Sequence, residues 1–250
     1  MKRPYVILIM ALFFADLAAN SDSLYFRANE LYQGGEYEMA LNVYRQVTEE
    51  GVESPGLYYN MGNAAYRSNS IGYAILYFEK ALKLDPSHED ARHNLEFVSR
   101  YKVDAFEQVP ELFVRSWTRK MVQSLSEKVW SILSIVLFFI FLVSVLIYLF
   151  SNRLMLKKAG FFGALFGILV FVVSITSAVS SHRNIIRPEA GIILSPSVVV
   201  RSSPSDSGTE LFILHEGTKV KMNEEVSGWQ NIRVIDGREG WIGSSDFESI

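Results

Sequence analysis

The sequence predicts a multi-domain protein in which an all-α helical-repeat region, a two-helix transmembrane hairpin and a small all-β barrel follow one another. Three observations carry this reading. The chain matches itself at a spacing of 34 residues between Ser23 and Asp104, which is the mark of a repeat architecture. Two runs of about 20 uncharged residues lie at 130–150 and 159–180, each long enough to cross a bilayer core of about 30 Å. After Pro188 the chain changes to short β-branched runs separated by turns, the pattern of a small sheet.

In the first region Ala28, Gly35, Ala40, Tyr44 and Val47 answer to Gly62, Asn69, Ala74, Phe78 and Ala81. Small residues at 28, 40, 62 and 74 let paired helices approach closely, and Tyr44 and Phe78 fill the space between them. The stretches from Gly35 to Leu41 and from Tyr59 through Phe78 to Pro86 resemble tetratricopeptide (TPR) repeats. The expected TPR domain spans 20–104, with repeats at about 21–54 and 55–88 and a capping helix at 89–103 carrying Leu95 and Val98 inward. In TPR proteins the first helix of each repeat lines a concave groove. At matching positions here stand Tyr25, Asn29, Tyr32 and Gln33, then Tyr59, Asn63, Tyr66 and Arg67, extended by His93 and Asn94 on the cap. Tyrosine combines apolar area with a polar tip, and an asparagine amide donates and accepts at once, so such a groove suits an extended peptide. The plainer alternative is that several of these tyrosines complete helix packing.

The membrane topology rests on three apolar blocks. Residues 1–19 are expected to be a signal peptide: Lys2 and Arg3 precede the apolar run Tyr5–Phe14, and Ala15, Ala18 and Ala19 come after it. Whether this segment is cleaved after Ala19 or retained as an anchor, the domain beyond it is exported. A segment at 105–129 reads as an interfacial amphipathic helix, with Leu112, Phe113, Trp117, Met121 and Leu125 at helical spacing. Ser124 and Glu127 suggest a capping box opening the first span. A cytoplasmic turn at 151–158 carries Arg153, Lys157 and Lys158 and no acid, and joins spans 130–150 and 159–180. Ala159, Gly163 and Gly167 recur every four residues and offer a flat face to the first span or to a partner protein. The expected location is a bacterial cytoplasmic (inner) membrane, with both flanking domains on the outer side.

In the last region strands are expected at Ile192–Leu194, Val198–Arg201, Lys219–Met222, Trp229–Ile235 and Gly240–Gly243, with a hairpin turn at Asp236-Gly237. The series Val200 to Pro204, Leu214 to Val220, Gly228-Trp229 and Gly240-Trp241-Ile242 resembles bacterial SH3-like domains, placed at 188–250. The resemblance implies peptide or cell-wall binding, with Arg201, Trp229 and Trp241 as contact candidates. Either tryptophan serves equally well as core or rim.

Composition and spacing argue against other functions. With no cysteine the chain holds no disulfide, thiolate zinc site or cysteine nucleophile. A net charge of −3 and a pI near 5.9 give no footprint for nucleic acid. His88-Glu89 and His93 imitate a zinc-protease helix, yet positions five apart point about 140° away from each other, whereas the metal motif needs four. No phosphate-binding glycine loop or Gly-x-Ser-x-Gly elbow is present, and no catalytic residues, metal or cofactor are expected.

The order of signal sequence, TPR repeats, basic-aromatic segment, hairpin and SH3-like domain resembles the BatE family, the repeat proteins of the Bacteroides aerotolerance (Bat) group. Local matches include Asn94 to Phe97, Leu194 to Val198, Arg201 to Pro204 and Gly208 to Thr218. The resemblance implies a non-enzymatic scaffold in an envelope complex. Its partners would be von Willebrand A-type and other Bat membrane proteins and, indirectly, a MoxR-type ATPase, with a link to oxidative stress tolerance. The alternative expectation is an envelope sensor whose barrel binds peptidoglycan.

Overall fold

The structure, a computed structural model, describes residues 22–106, 122, 124–186 and 190–250. The expected signal peptide and most of the interfacial segment, with Leu112, Phe113, Trp117 and Met121, lie outside the described residues. The described chain forms two compact units, one holding the repeats and the C-terminal sheet, the other the hairpin.

Five helices build the repeats: α1 (22–33), α2 (Tyr37–Glu49), α3 (Pro55–Arg67), α4 (Ile71–Leu84) and α5 (Glu89–Val98). A single 3-10 turn, Ser99–Tyr101, comes after α5. The repeat period appears in the turns as well as the core. Gly35 has φ +82° and Asn69, 34 residues on, has φ +61°, the left-handed region that glycine and asparagine tolerate best. The Gly35 amide donates to the Tyr32 carbonyl and that of Glu36 to Leu31; Asn69 donates to Tyr66 and Ser70 to Ala65. Each pair closes the end of a first helix in the same way. Helix α3 starts where Ser54 Oγ accepts the Leu57 amide at 3.1 Å, with Pro55 in the first turn. Helix α5 starts at His88, whose Nδ1 accepts the Ala91 amide at 3.3 Å.

Ala28, Ala40, Ala74 and Ala81 are fully buried beside Tyr44 and Phe78. A Cβ on Gly62 would stand 2.6 Å from the Phe78 ring, so this crossing admits no side chain at all. In α4 every residue from Ala74 to Phe78 is buried. A helix in a two-layer array keeps a solvent face; this one is covered on its far side by the C-terminal sheet.

That sheet has seven strands, β1 (Ala190–Ile193), β2 (Ser197–Arg201), β3 (Glu210–His215), β4 (Lys219–Val226), β5 (Trp229–Arg233), β6 (Glu239–Gly243) and β7 (Phe247–Ser249), in the order β3-β2-β6-β5-β4-β1-β7. All its pairings are antiparallel. Ile193, Val198, Val200, Leu214, Val220, Ile232, Val234 and Ile242 point inward as one core, the alternation of a half-buried sheet. The hairpin at Asp236-Gly237 joins β5 and β6, with Gly237 at φ +94°. Two strands, β3 and β7, are absent from the sequence prediction. In β3 the outward residues Leu211 and Ile213 are as apolar as the inward Phe212 and Leu214, so no period-2 contrast marks it, and β7 has only three residues.

In the second unit α6 (Glu127–Phe150) and α7 (Leu154–Ile186) form the hairpin, and both are long and apolar enough to cross a membrane. Large side chains such as Phe139, Leu146 and Phe166 are more than half exposed, which suits lipid and not the inside of a soluble domain. Three expectations are corrected. The helix α6 begins after Ser126 without a side-chain cap, so Ser124 and Glu127 form no capping box. The turn is only 151–153, because Lys157 and Lys158 already lie in the first turns of α7; lysine has good helix propensity and no breaker stands after Arg153. Ala159 is exposed, and its neighbour Gly160 is the buried residue instead. A Cβ at Gly160 would meet the Tyr148 amide nitrogen at 2.7 Å and the Ser144 carbonyl at 2.8 Å, while Gly163 lies against Ser144 and Gly167 against Phe141. The flat face is thus used inside the hairpin, at spacings of three and four. Towards its open end Ser134 and Ser174 share a buried hydrogen bond of 2.9 Å, and both donate to the Trp130 carbonyl.

Candidate interaction surfaces

The groove positions of the repeats are tied together by polar contacts. Tyr44 donates to Asn29 Oδ1 at 2.6 Å, and Asn60 Nδ2 donates to the same oxygen at 3.3 Å and to the Tyr25 hydroxyl at 2.9 Å. Asn94 Nδ2 donates to Asn63 Oδ1 at 2.8 Å. Asn29 and Asn63 therefore have their carbonyl oxygens satisfied within the domain. Their amide N–H groups, for which no partner occurs among the described residues, are what they offer to a ligand. Such donors match the carbonyls of an extended peptide.

Aromatic contacts hold the rest in place. Tyr32 meets Tyr37 edge-on, and Arg67 donates to the Tyr37 hydroxyl while lying over its ring. Tyr59 stands between Phe78 and the His88 ring, and Tyr66 between Phe97 and Tyr101. Gln33 and His93 are exposed and take no part in these contacts. Burial raises the pKa of Tyr44 well above the tyrosine range, with the nearby Tyr25 and Tyr32 adding to it. Burial likewise raises that of Tyr32, against the opposing charge of Arg67. Both stay neutral donors at any physiological pH. Asn60, central to this network, is not singled out by the sequence pattern. It sits on α3 one residue after a groove position, and only tertiary packing turns it toward α1.

On the barrel, Arg201 is occupied within its own loop, donating to the Gly208 carbonyl at 3.0 Å and facing Glu210 at 3.7 Å. Trp229 and Trp241 are both half-buried, paired across the sheet with Gly243 and with Arg201 and Asn231. The densest polar constellation lies elsewhere. Asp104, 10% exposed, accepts from the His215 amide at 2.7 Å and from Thr218 Oγ1 at 2.6 Å, and its other oxygen lies 2.8 Å from His215 Nδ1. An ionised carboxylate only accepts, so the ring proton sits on Nδ1. Burial pushes the Asp104 carboxyl upward in pKa. The hydrogen bonds from Thr218 and from the His215 amide and ring outweigh it, and the group lies below the ordinary aspartate range. Two residues on, Phe106 packs against the barrel core. The Arg238 guanidinium stands 5.2 Å from its ring centre and 4.4 Å from that of Phe212. Asp236 fixes that guanidinium from behind at 2.8 Å.

The same face meets the repeats. Lys80 pairs with Glu248 at 2.6 Å and Lys219 with Glu79 at 2.8 Å. The Gly72 amide reaches Glu216 at 3.4 Å, and Gly217, at φ +81°, lies against Ile75 and Lys102. None of these pairs is legible in the sequence, since the partners are about 100 or more residues apart and neither side has a distinctive motif.

Comparison with known proteins agrees with both folds. A tetratricopeptide repeat family matches residues 55–88 and a bacterial SH3 domain family matches residues 196–248. No curated protein matches the chain significantly. The chain therefore carries a TPR repeat and a bacterial SH3-like domain, two kinds of module that typically bind proteins rather than catalyse, flanking two long apolar helices.

Proposed function

We propose that the chain is a non-catalytic scaffold of the cytoplasmic membrane, of the BatE type, that joins partner proteins of a Bat-like envelope complex. The observation that carries the adaptor role is the preorganised groove, in which Asn29 and Asn63 are held by their oxygens and keep their N–H groups for a ligand backbone. A groove held in this way loses little side-chain entropy on binding.

Both domains are assigned to the outer side of the membrane. Two observations support this. The turn at 151–153 and the start of α7 carry Arg153, Lys157 and Lys158 without an acid. Asp104, before the hairpin, bonds to His215, after it, which requires an even number of crossings between them. In this reading the groove takes an extended segment of a von Willebrand A-type membrane partner, and a MoxR-type ATPase acts through that partner, in support of oxidative stress tolerance. The test is photocrosslinking in intact cells from a reactive residue at the exposed Gln33. Adducts with an integral envelope protein are expected. Absence of adducts at Gln33 and also at His93 would sink the proposal.

A further inference from the structure

We infer that the barrel surface formed by His215, Thr218, Phe212 and Arg238 is a peptide-recognition site for an acidic residue with an aromatic one two positions later, and that Asp104-Ala105-Phe106 is its resident, exchangeable ligand. The inference deepens the adaptor reading, on which it rests, by giving the barrel a protein ligand of defined chemistry.

The segment has the form of a bound peptide. Residues 102–106 leave the last helical turn without helix or strand, and Lys102 has extended backbone angles of −64° and 137°. Its two anchoring side chains enter two different subsites. One is a carboxylate cradle of three donors, a backbone amide, a ring nitrogen and a hydroxyl, which distinguishes a carboxylate from an amide because all three groups donate. The other is an aromatic slot, walled by the Phe212 side and closed by the Arg238 guanidinium. The spacing of two residues in an extended chain sets how far apart the subsites are, so the pair reads a pattern and not a single side chain.

Exchange is possible without taking the barrel from the repeats. The ion pairs Lys80–Glu248 and Lys219–Glu79 and the contact of Gly217 with Ile75 do not involve 104–106. The cradle is also reachable, with the His215 side chain 34% and Arg238 48% exposed. A partner segment bearing the same two side chains meets a surface already shaped for it and competes with the chain's own.

The test uses the full chain in detergent and a labelled peptide of sequence Val-Asp-Ala-Phe-Glu, copied from residues 103–107. In a D104A/F106A variant the site is vacant, and the peptide is expected to bind at least about tenfold more tightly than to the unaltered chain, where the resident segment competes. T218A and R238A added to that variant are expected to abolish binding, as is an Asn in place of the peptide's Asp. D104N, which keeps the side-chain volume, provides the same comparison should the double variant not fold. No binding to either variant with tryptophan emission unchanged, or equal binding to the unaltered chain, overturns the inference. Crosslinking from Gln33 is unaffected by either result, so failure here is distinguishable from failure of the groove reading.

Discussion

Replacing Gly62 with alanine measures how tightly the two-helix crossing of the second repeat is built. The new Cβ would lie 2.6 and 2.7 Å from two carbons of the Phe78 ring, whereas carbon contacts are comfortable at about 3.5–4.0 Å. The ring must therefore retreat by about 1 Å. It is almost wholly buried and backed by Tyr59, which is itself backed by His88, so the displacement propagates. Overpacking of this kind costs about 1–3 kcal/mol. Alanine's helix propensity returns up to about 1 kcal/mol. Gly56 separates the two effects, because it lies in the same helix and a Cβ there meets nothing within 4 Å. G56A is expected to be neutral or stabilising, and G62A to fall below it by about 1–3 kcal/mol. Urea titration followed by far-UV circular dichroism gives both values, and F78L combined with G62A should recover part of the loss. A G62A variant as stable as G56A would show that the crossing is looser than the structure has it.

Three further outcomes are expected. Phe141 Cβ lies 3.5 Å from where a Cβ at 167 would stand, within disulfide range, and the chain has no other cysteine. F141C/G167C should therefore oxidise spontaneously in membranes while F141C/A159C does not, read by gel mobility under non-reducing conditions; the reverse result refutes the helix face assigned here. Asp104 has a lowered folded pKa, so its stabilising contribution is complete above about pH 4 and is lost as pH falls through the folded value. His215 is the titratable group held against it. Acid denaturation should accordingly be shallower in D104N, and an unchanged acid limb would refute the strength of that cradle. Tyr44 has a raised pKa, so the neutral ring's contribution is present below about pH 10 and is lost as pH rises through the folded value. Tyrosinate absorbance at 295 nm should show a late-titrating group that disappears in Y44F. Y44F itself should cost about 1 kcal/mol, since Asn29 keeps only its longer bond from Asn60.

The match between Gly35 and Asn69 shows how far a sequence can be read when structure repeats. Two residues of different type occupy one left-handed position because the period carries the geometry and each tolerates it. The barrel is legible where β-branched residues alternate, as at Val198 and Val200, and fades at β3, where both faces are apolar. The groove positions Tyr25, Asn29 and Asn63 can be named from register alone. What they bond to cannot, because Asn60 and Asn94 reach them only through the angle at which helices cross.

By itself the sequence determined the elements governed by local pattern: helices of fixed period, two spans by length and apolarity, a sheet by alternation, and the exclusion of cysteine chemistry. Tertiary structure alone decided that α4 has no solvent face, that the glycine side of α7 is used inside the hairpin, and that Asp104 lies in a cradle made 111 residues later. The reason is the range of the interactions. Propensity and hydrophobic periodicity act over a few residues, whereas the cradle, the aromatic slot and the ion pairs of α4 exist only once distant segments have been brought within a few ångströms of one another.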